Sequence, residues 1–199
     1  MNIQSGLAAT TVAIKSKVCL CQMLPSTLIK DETSKSLSFF HEQKEGITFG
    51  LELTKAIKTI AFESKSNVRI NLHSSAECTY HDMIIFQWKG TYVRPHKHLK
   101  KVETCHMIEG TQEYILQNET GKIISNEKLS ANGNVIYRIN NGVYHTSFIL
   151  SDFVIFHESK IGPFVQKDDS VYLESSPVGE SITESDEYMM RLYGNLGIS

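Results

Sequence analysis

The sequence predicts a mainly β protein, an antiparallel sandwich or barrel with one amphipathic helix in front of it. From Arg69 onward the chain divides into short extended runs: Arg69 to His73, Met83 to Lys89, Tyr92 to His98, Glu103 to Ile108, Gln112 to Gln117, Lys122 to Leu129, Val135 to Ile139, Tyr144 to Leu150 and Phe153 to Ser159. Glu109-Gly110, Thr120-Gly121, Asn132-Gly133 and Asn141-Gly142 separate several of them, supplying glycine where a tight hairpin needs positive φ. Ile47 to Ser64 instead spaces Leu51, Leu53, Ala56, Ile57, Ile60 and Ala61 close to the helical repeat, with good helix formers between. Eight or so antiparallel strands joined by short turns fit a double-sheet jelly roll.

Taken in order, residues 1–46 form an N-terminal extension in which Thr11 to Leu24 alternates as an added strand and the polar stretch from Ser26 to Ser38 reads as a loop. Residues 47–66 are the helix leading into the barrel, and residues 67–165 are the barrel itself. Residues 166–199 are an acidic C-terminal extension, with Asp168, Asp169, Glu174, Glu180, Glu184, Asp186 and Glu187. A short helix is expected around Glu184 to Tyr193, and the tail reads as a solvated extension rather than a lid.

A chain of 199 residues, 41% hydrophobic and 21% charged, suits one sizeable soluble core. The formal charge of -2 argues against a nucleic-acid partner. No apolar stretch reaches the length of a membrane span, and Lys15 and Lys17 interrupt the most apolar N-terminal stretch, so neither membrane nor signal peptide is expected and the location reads as cytoplasmic. Cys19, Cys21, Cys78 and Cys105 read as free thiols, with Cys19-Leu-Cys21 either a plain strand or a soft metal pair.

The chemistry concentrates in Gly90 to Gly110, GTYVRPHKHLKKVETCHMIEG. His96 and His98 leave an extended strand from the same face, because strand side chains alternate. Glu103 lies an odd number of residues beyond His98, so a turn around Leu99 to Lys101 must bring it back from a neighbouring strand. By the same alternation Cys105 and Met107 share the inward face with Glu103, as packing, while His106 points away. His41, His81, His106 and His157 read as packing or surface residues.

This run resembles the first motif of the cupin superfamily: a glycine, His-x-His, a glutamate and a closing glycine at the family's spacing. The resemblance implies a double-stranded β-helix barrel and a second motif carrying a fourth ligand. Gly133 and Asn140-Asn141-Gly142-Val143-Tyr144-His145 match that motif and nominate His145, with asparagines where proline is usual. His96, His98, His145 and Glu103 would offer three imidazoles and one carboxylate, a shell that suits one divalent transition metal ion without choosing among iron, manganese, nickel, cobalt, copper and zinc.

The strings YVRPHKH, ETCHMIEG, NGVYHT and FHESKIGPF, together with a short helix followed by a segment ending in Asn71-Leu72-His73, look more narrowly like the WbuC-type cupins. That likeness covers residues 48 to 165. It implies a metal-dependent role on a sugar or sugar nucleotide in bacterial surface-polysaccharide biosynthesis, and a homodimer. The alternative is a non-catalytic metal-containing saccharide-binding module; if an enzyme, isomerase, lyase and oxygenase chemistry all stay open. Within the resemblance Arg69, Asn71 and His73 alternate along one face as substrate-binding candidates, joined by Arg94 and Lys160, each of which can hold a ligand or serve a structural ion pair or solvated loop. Tyr137 and His73 are the acid-base candidates.

Overall fold

The computed structural model describes residues 26–34, 36–42, 45–165 and 169–196. Its elements in order are β1 (Leu28–Lys30), β2 (Leu37–His41), α1 (Leu51–Ser64), β3 (Val68–Asn71), β4 (Tyr80–Trp88), β5 (His96–Lys97), β6 (Glu103–Glu109), β7 (Thr111–Gln117), β8 (Ile123–Ser130), β9 (Ile136–Ile139), β10 (Tyr144–Ile149), β11 (Phe153–Ile161), β12 (Val171–Tyr172) and α2 (Ile182–Gly194). A seven-stranded sheet, β1-β2-β3-β4-β11-β6-β9, and a five-stranded sheet, β12-β5-β10-β7-β8, make a mainly β jelly roll. Every pairing is antiparallel except β2 with β3.

Alternation within the central strands explains why the larger sheet is buried on both faces. Along β4, Ile84 and Phe86 join the cluster beneath α1, whereas Met83 and Ile85 join Cys105, Met107, Leu129 and Phe156 in the core that also holds Tyr114 and Ile149 of the smaller sheet. In α1, Leu53, Ala56, Ile57, Ile60 and Ala61 are the buried face, as the apolar spacing predicts. The helix begins four residues later than the expected Ile47, because Gly50 takes an extended conformation at the N-cap. It ends at Lys65, which adopts the left-handed conformation at φ 55°.

One turn glycine is sterically required, although the turn joins strands of different sheets and not the paired strands of the expected hairpin. Gly110 joins β6 to β7 at φ 85°, and a Cβ there would collide with the Phe153 carbonyl oxygen. The tight reversal places Glu103, Cys105 and Met107 on the inward face of β6, with His106 outside.

Three local expectations change. The stretch from Ser26 to Ser38, read as a loop, contains β1 and the start of β2, which extend the larger sheet at its edge. The run from Tyr92 to His98 is strand only at His96–Lys97: Pro95 has no N–H to give a ladder, and the carbonyls of Val93 and Pro95 accept instead from Thr146 Oγ1 and the Leu173 N–H. The acidic tail is no solvated extension, since β12 pairs with β5, and Tyr188, Met189 and Leu192 of α2 are buried against Tyr92, Ile123 and Phe148. Net acidity concealed that apolar stripe. The expected strand from Thr11 to Leu24 and the Cys19-Leu-Cys21 pair lie outside the described residues.

No helix among the described residues is long and apolar enough to cross a membrane.

Candidate metal centre

His96, His98, Glu103 and His145 come together inside the jelly roll, each offering one ligand atom, with all four atoms within 4.8 Å of one another. Three segments deliver them. His96 lies on β5 and pairs in register with His145 on β10, whose inward face also carries Ser147 and Ile149. His98 follows β5 directly. Glu103 opens β6, which belongs to the opposite sheet, so the reversal after His98 crosses between sheets rather than forming a hairpin between hydrogen-bonded neighbours. The Asn141-Gly142 turn is tied to the same place: the Gly142 N–H donates to the His98 carbonyl at 2.7 Å and Asn141 Nδ2 to the Leu99 carbonyl at 3.1 Å.

Backbone carbonyls set the tautomer of all three imidazoles. Nδ1–H of His96 donates to the Arg94 oxygen at 2.9 Å, that of His98 to the Asp169 oxygen at 2.5 Å and that of His145 to the Val143 oxygen at 3.0 Å. A carbonyl only accepts, so each neutral ring carries its proton on Nδ1 and presents the Nε2 lone pair inward. His98 Nε2 lies 3.2 Å from Glu103 Oε2. His145 Nε2 is buried with no hydrogen-bond partner among the described residues and sits 3.9 Å from Glu103 Oε1. An orphaned lone pair of this kind, beside a buried carboxylate, is what a bound cation satisfies. The donor set therefore fits a divalent transition metal.

The electrostatics favour the same state. Burial, reinforced by the neighbouring His145, lowers the pKa of His96 to about 4 despite Glu103. Burial alone would push Glu103 up, but the His98 ring, which donates from Nε2 as well once it is protonated, and the charge of Lys160 outweigh it and hold the carboxyl well below its usual range. For His98 burial acts downward, and the contacts with Glu103 and the Asp169 carbonyl outweigh it, so its pKa is raised. At neutral pH the cluster thus presents a carboxylate and a neutral His96, ready to ligate.

Asp169 escaped the sequence reading. Besides its carbonyl contact to His98, its carboxylate takes Lys101 Nζ at 2.5 Å, and Lys101 also donates to the Pro163 carbonyl at 2.8 Å. The carbonyl role leaves no side-chain signature, and the only available signal was a lysine two residues before Glu103 with an acidic stretch far downstream.

A cavity of about 530 Å³ opens beside the centre, lined among others by Arg69, Asn71, His73, Lys160, Asp169 and Tyr172. None of the four clustered residues lines it. Lys160 is no solvated loop residue: it lies on β11, 14% exposed, 3.3 Å from Glu158 Oε1 and 4.0 Å from Asp169 Oδ2. Arg94, expected beside the ion or on a barrel-edge carboxylate, is turned onto the tail, with Nε 3.2 Å from Ser176 Oγ and its guanidinium over the Tyr172 ring. Tyr137 does not line the cavity; its ring lies 5.6 Å from that of Tyr114. His73 does line it, stacked on His81 with centroids 4.1 Å apart.

A family model described as a domain of unknown function (DUF6016) matches residues 53–129. No curated protein matches. Among solved structures the chain is similar to the capsular polysaccharide assembling protein CapF from Staphylococcus aureus, at 16% identity over 55% of this chain and 32% of that one, with a TM-score of 0.47. It is similar also to KdgF from Halomonas sp. (14% identity, 51% of this chain and 82% of that one, TM-score 0.39) and to the cupin domain of Schizosaccharomyces pombe Cnp3 (11%, 48% and 60%, TM-score 0.39). The chain spans 31% and 27% of two further CapF chains that it matches. The descriptions of the fold and of the centre rest on their own geometry.

Proposed function

We propose that this chain is a WbuC-like cupin metalloprotein, a cytoplasmic metal-dependent enzyme acting on a sugar or sugar nucleotide in bacterial surface-polysaccharide biosynthesis. The observation that carries the metal reading is the convergence of three oriented Nε2 lone pairs and the Glu103 carboxylate around the unpartnered His145 Nε2. The sugar context rests on the sequence resemblance and is supported by the polar cavity alongside. His96, His98, His145 and Glu103 would hold the ion, which when bound supplies a Lewis acid for a carbonyl or hydroxyl oxygen. Around it, Asp169 orients His98 through its carbonyl, and Lys160 adds positive charge beside Glu103. Burial lowers the pKa of His73, so it stands neutral at the cavity wall as a proton acceptor.

A second reading, a non-catalytic saccharide-binding module, is favoured by the position of Tyr137, which removes one of the two acid-base candidates from the cavity. Elemental analysis of native protein, followed by incubation of the metal-loaded protein with sugar nucleotides, tests both. Stoichiometric metal with product formation supports the enzyme, metal with binding but no turnover supports the module, and absence of metal defeats both. The family expectation of a homodimer is checked by light scattering.

A further inference from the structure

Arg69 is the unsatisfied group in the cavity. Its Nε is buried without a hydrogen-bond partner, and its guanidinium has no ion pair among the described residues. It projects from β3 on the face opposite Val68 and Ile70, which are committed to the core under α1. The cavity's two carboxylates do not answer it. Asp31 accepts the N–H and hydroxyl of Thr33 through Oδ1, and Asp169 is held by Lys101 with Lys160 nearby. The stacked rings of His73 and His81 cannot be its counter-charge, since an imidazole is neutral or positive, and burial, which lowers both pKa values, keeps them from adding further positive charge. A guanidinium kept partly out of water without an anion is costly, and a planar fork of this type suits a bidentate oxyanion.

The rest of the wall specifies the remainder of the ligand. The β1–β2 connection contributes hydroxyls at Thr33, Ser34 and Ser36, and Ser38 on β2 accepts from Asn71 Nδ2 at 2.9 Å. Such short donors and acceptors match a hydroxyl-bearing ring, and about 530 Å³ is room for a substituted monosaccharide. We propose that this cavity binds a hydroxylated small molecule through a phosphate or carboxylate group seated on Arg69, beside the metal centre and without help from its four ligands. The proposal rests on the sugar reading above and adds the charge of that sugar and the residue that receives it.

Isothermal titration of the full, metal-loaded chain at physiological salt tests it with glucose 1-phosphate, glucuronate, inorganic phosphate and glucose. At least one charged sugar should bind saturably and glucose at least about tenfold more weakly, the range expected for hydrogen bonds to a charged group. Preference for glucose 1-phosphate over glucuronate assigns a phosphate seat, and the reverse a carboxylate seat; inorganic phosphate competing with the sugar locates both at one place. Arg69→Met should weaken the charged sugar by roughly ten- to a hundredfold while metal content stays unchanged. Arg69→Lys, which keeps the charge but loses the fork, should fall between and covers the case in which the methionine variant does not fold. Equal binding of glucose, absence of saturable binding by both charged sugars, or unchanged affinity in both Arg69 variants overturns the proposal. His96→Ala separates the two readings: Arg69-dependent binding that survives loss of the metal upholds the seat, and such binding in a native protein that carries no metal upholds the seat while defeating the function proposed above.

Discussion

The ligand cluster and the cavity lie side by side in the jelly roll, and they are built in opposite ways. Each imidazole of the cluster is oriented by a carbonyl, and His145 Nε2, buried without a hydrogen-bond partner among the described residues, faces the other three ligand groups. In the cavity the orphan is a cation, Arg69, surrounded by hydroxyls and by carboxylates already engaged elsewhere. The first environment lacks positive charge at its centre and the second lacks negative charge, so one asks for a metal ion and the other for an anion. Two neighbouring sites of opposite demand are suited to a single anionic, oxygen-rich ligand that reaches both.

The largest expected effect comes from breaking the first site. A metal at a thousandfold its dissociation constant stabilises the native state by about 4 kcal/mol. His96→Ala should abolish that increment, so calorimetric melting with and without chelator, clearly separated for the native chain, should coincide for the variant. Elemental analysis should show the ion lost. Separate melting transitions that persist in the variant would place the ion elsewhere.

Acidification should discriminate between the sites next. His96 titrates in the unfolded chain near its ordinary value and in the metal-free native chain near 4, so across that window the unfolded state binds more protons and stability falls as the pH drops. At roughly 1.4 kcal/mol per pKa unit the contribution is on the order of 3 kcal/mol. Glu103 adds loss in the same direction once the pH falls below its ordinary carboxylate range. His98, with a raised pKa, acts oppositely: its contribution is present at low pH and is lost as the pH rises through its native value. The net expectation is a metal-free protein whose denaturant midpoint declines between about pH 6.5 and 4, more steeply for the native chain than for His96→Ala. Parallel profiles would mean that His96 is not the titrating group.

How much of this was readable follows from where the determinants lie along the chain. His96, His98 and Glu103 sit within one run, and strand alternation plus a turn is enough to unite them. The apolar face of α1 and most strands of the barrel were likewise visible in local periodicity. Asp169 was not, because its contribution to His98 is a backbone carbonyl, which every residue has. The docking of α2 was hidden by its charge: three apolar or aromatic residues, Tyr188, Met189 and Leu192, among acidic ones suffice once Tyr92 and Phe148 offer a surface. The contacts of Arg94 were unreadable for a related reason, since its position in the motif says nothing of the tail on which its guanidinium rests.

The tail therefore supplies a smaller and sharper test of how the two sites are joined. Lys101 anchors Asp169, and Asp169 orients His98. Lys101→Met should loosen that carbonyl contact without touching a ligand, lowering metal affinity by about tenfold, at the mild end of effects seen for groups that orient a ligating histidine. The matching readout is a competition titration with a chromophoric chelator, with circular dichroism to show the fold retained. Unchanged affinity would mean that β12 pairing with β5 holds Asp169 by itself.

The smallest effect should come from Tyr137, and it bears on the division between the sites because the residue belongs to neither. Its ring packs beside Tyr114, outside the cavity wall. Tyr137→Phe removes only the hydroxyl of a half-buried ring, a change of at most about 1 kcal/mol, and leaves both the ion and the Arg69 cavity intact. Metal content and charged-sugar affinity should match the native protein while the denaturant midpoint falls slightly. A loss of turnover at unchanged metal content and binding would restore Tyr137 as a proton-transfer group and imply a closed state that brings β9 to the ligand, a movement absent from the arrangement described above.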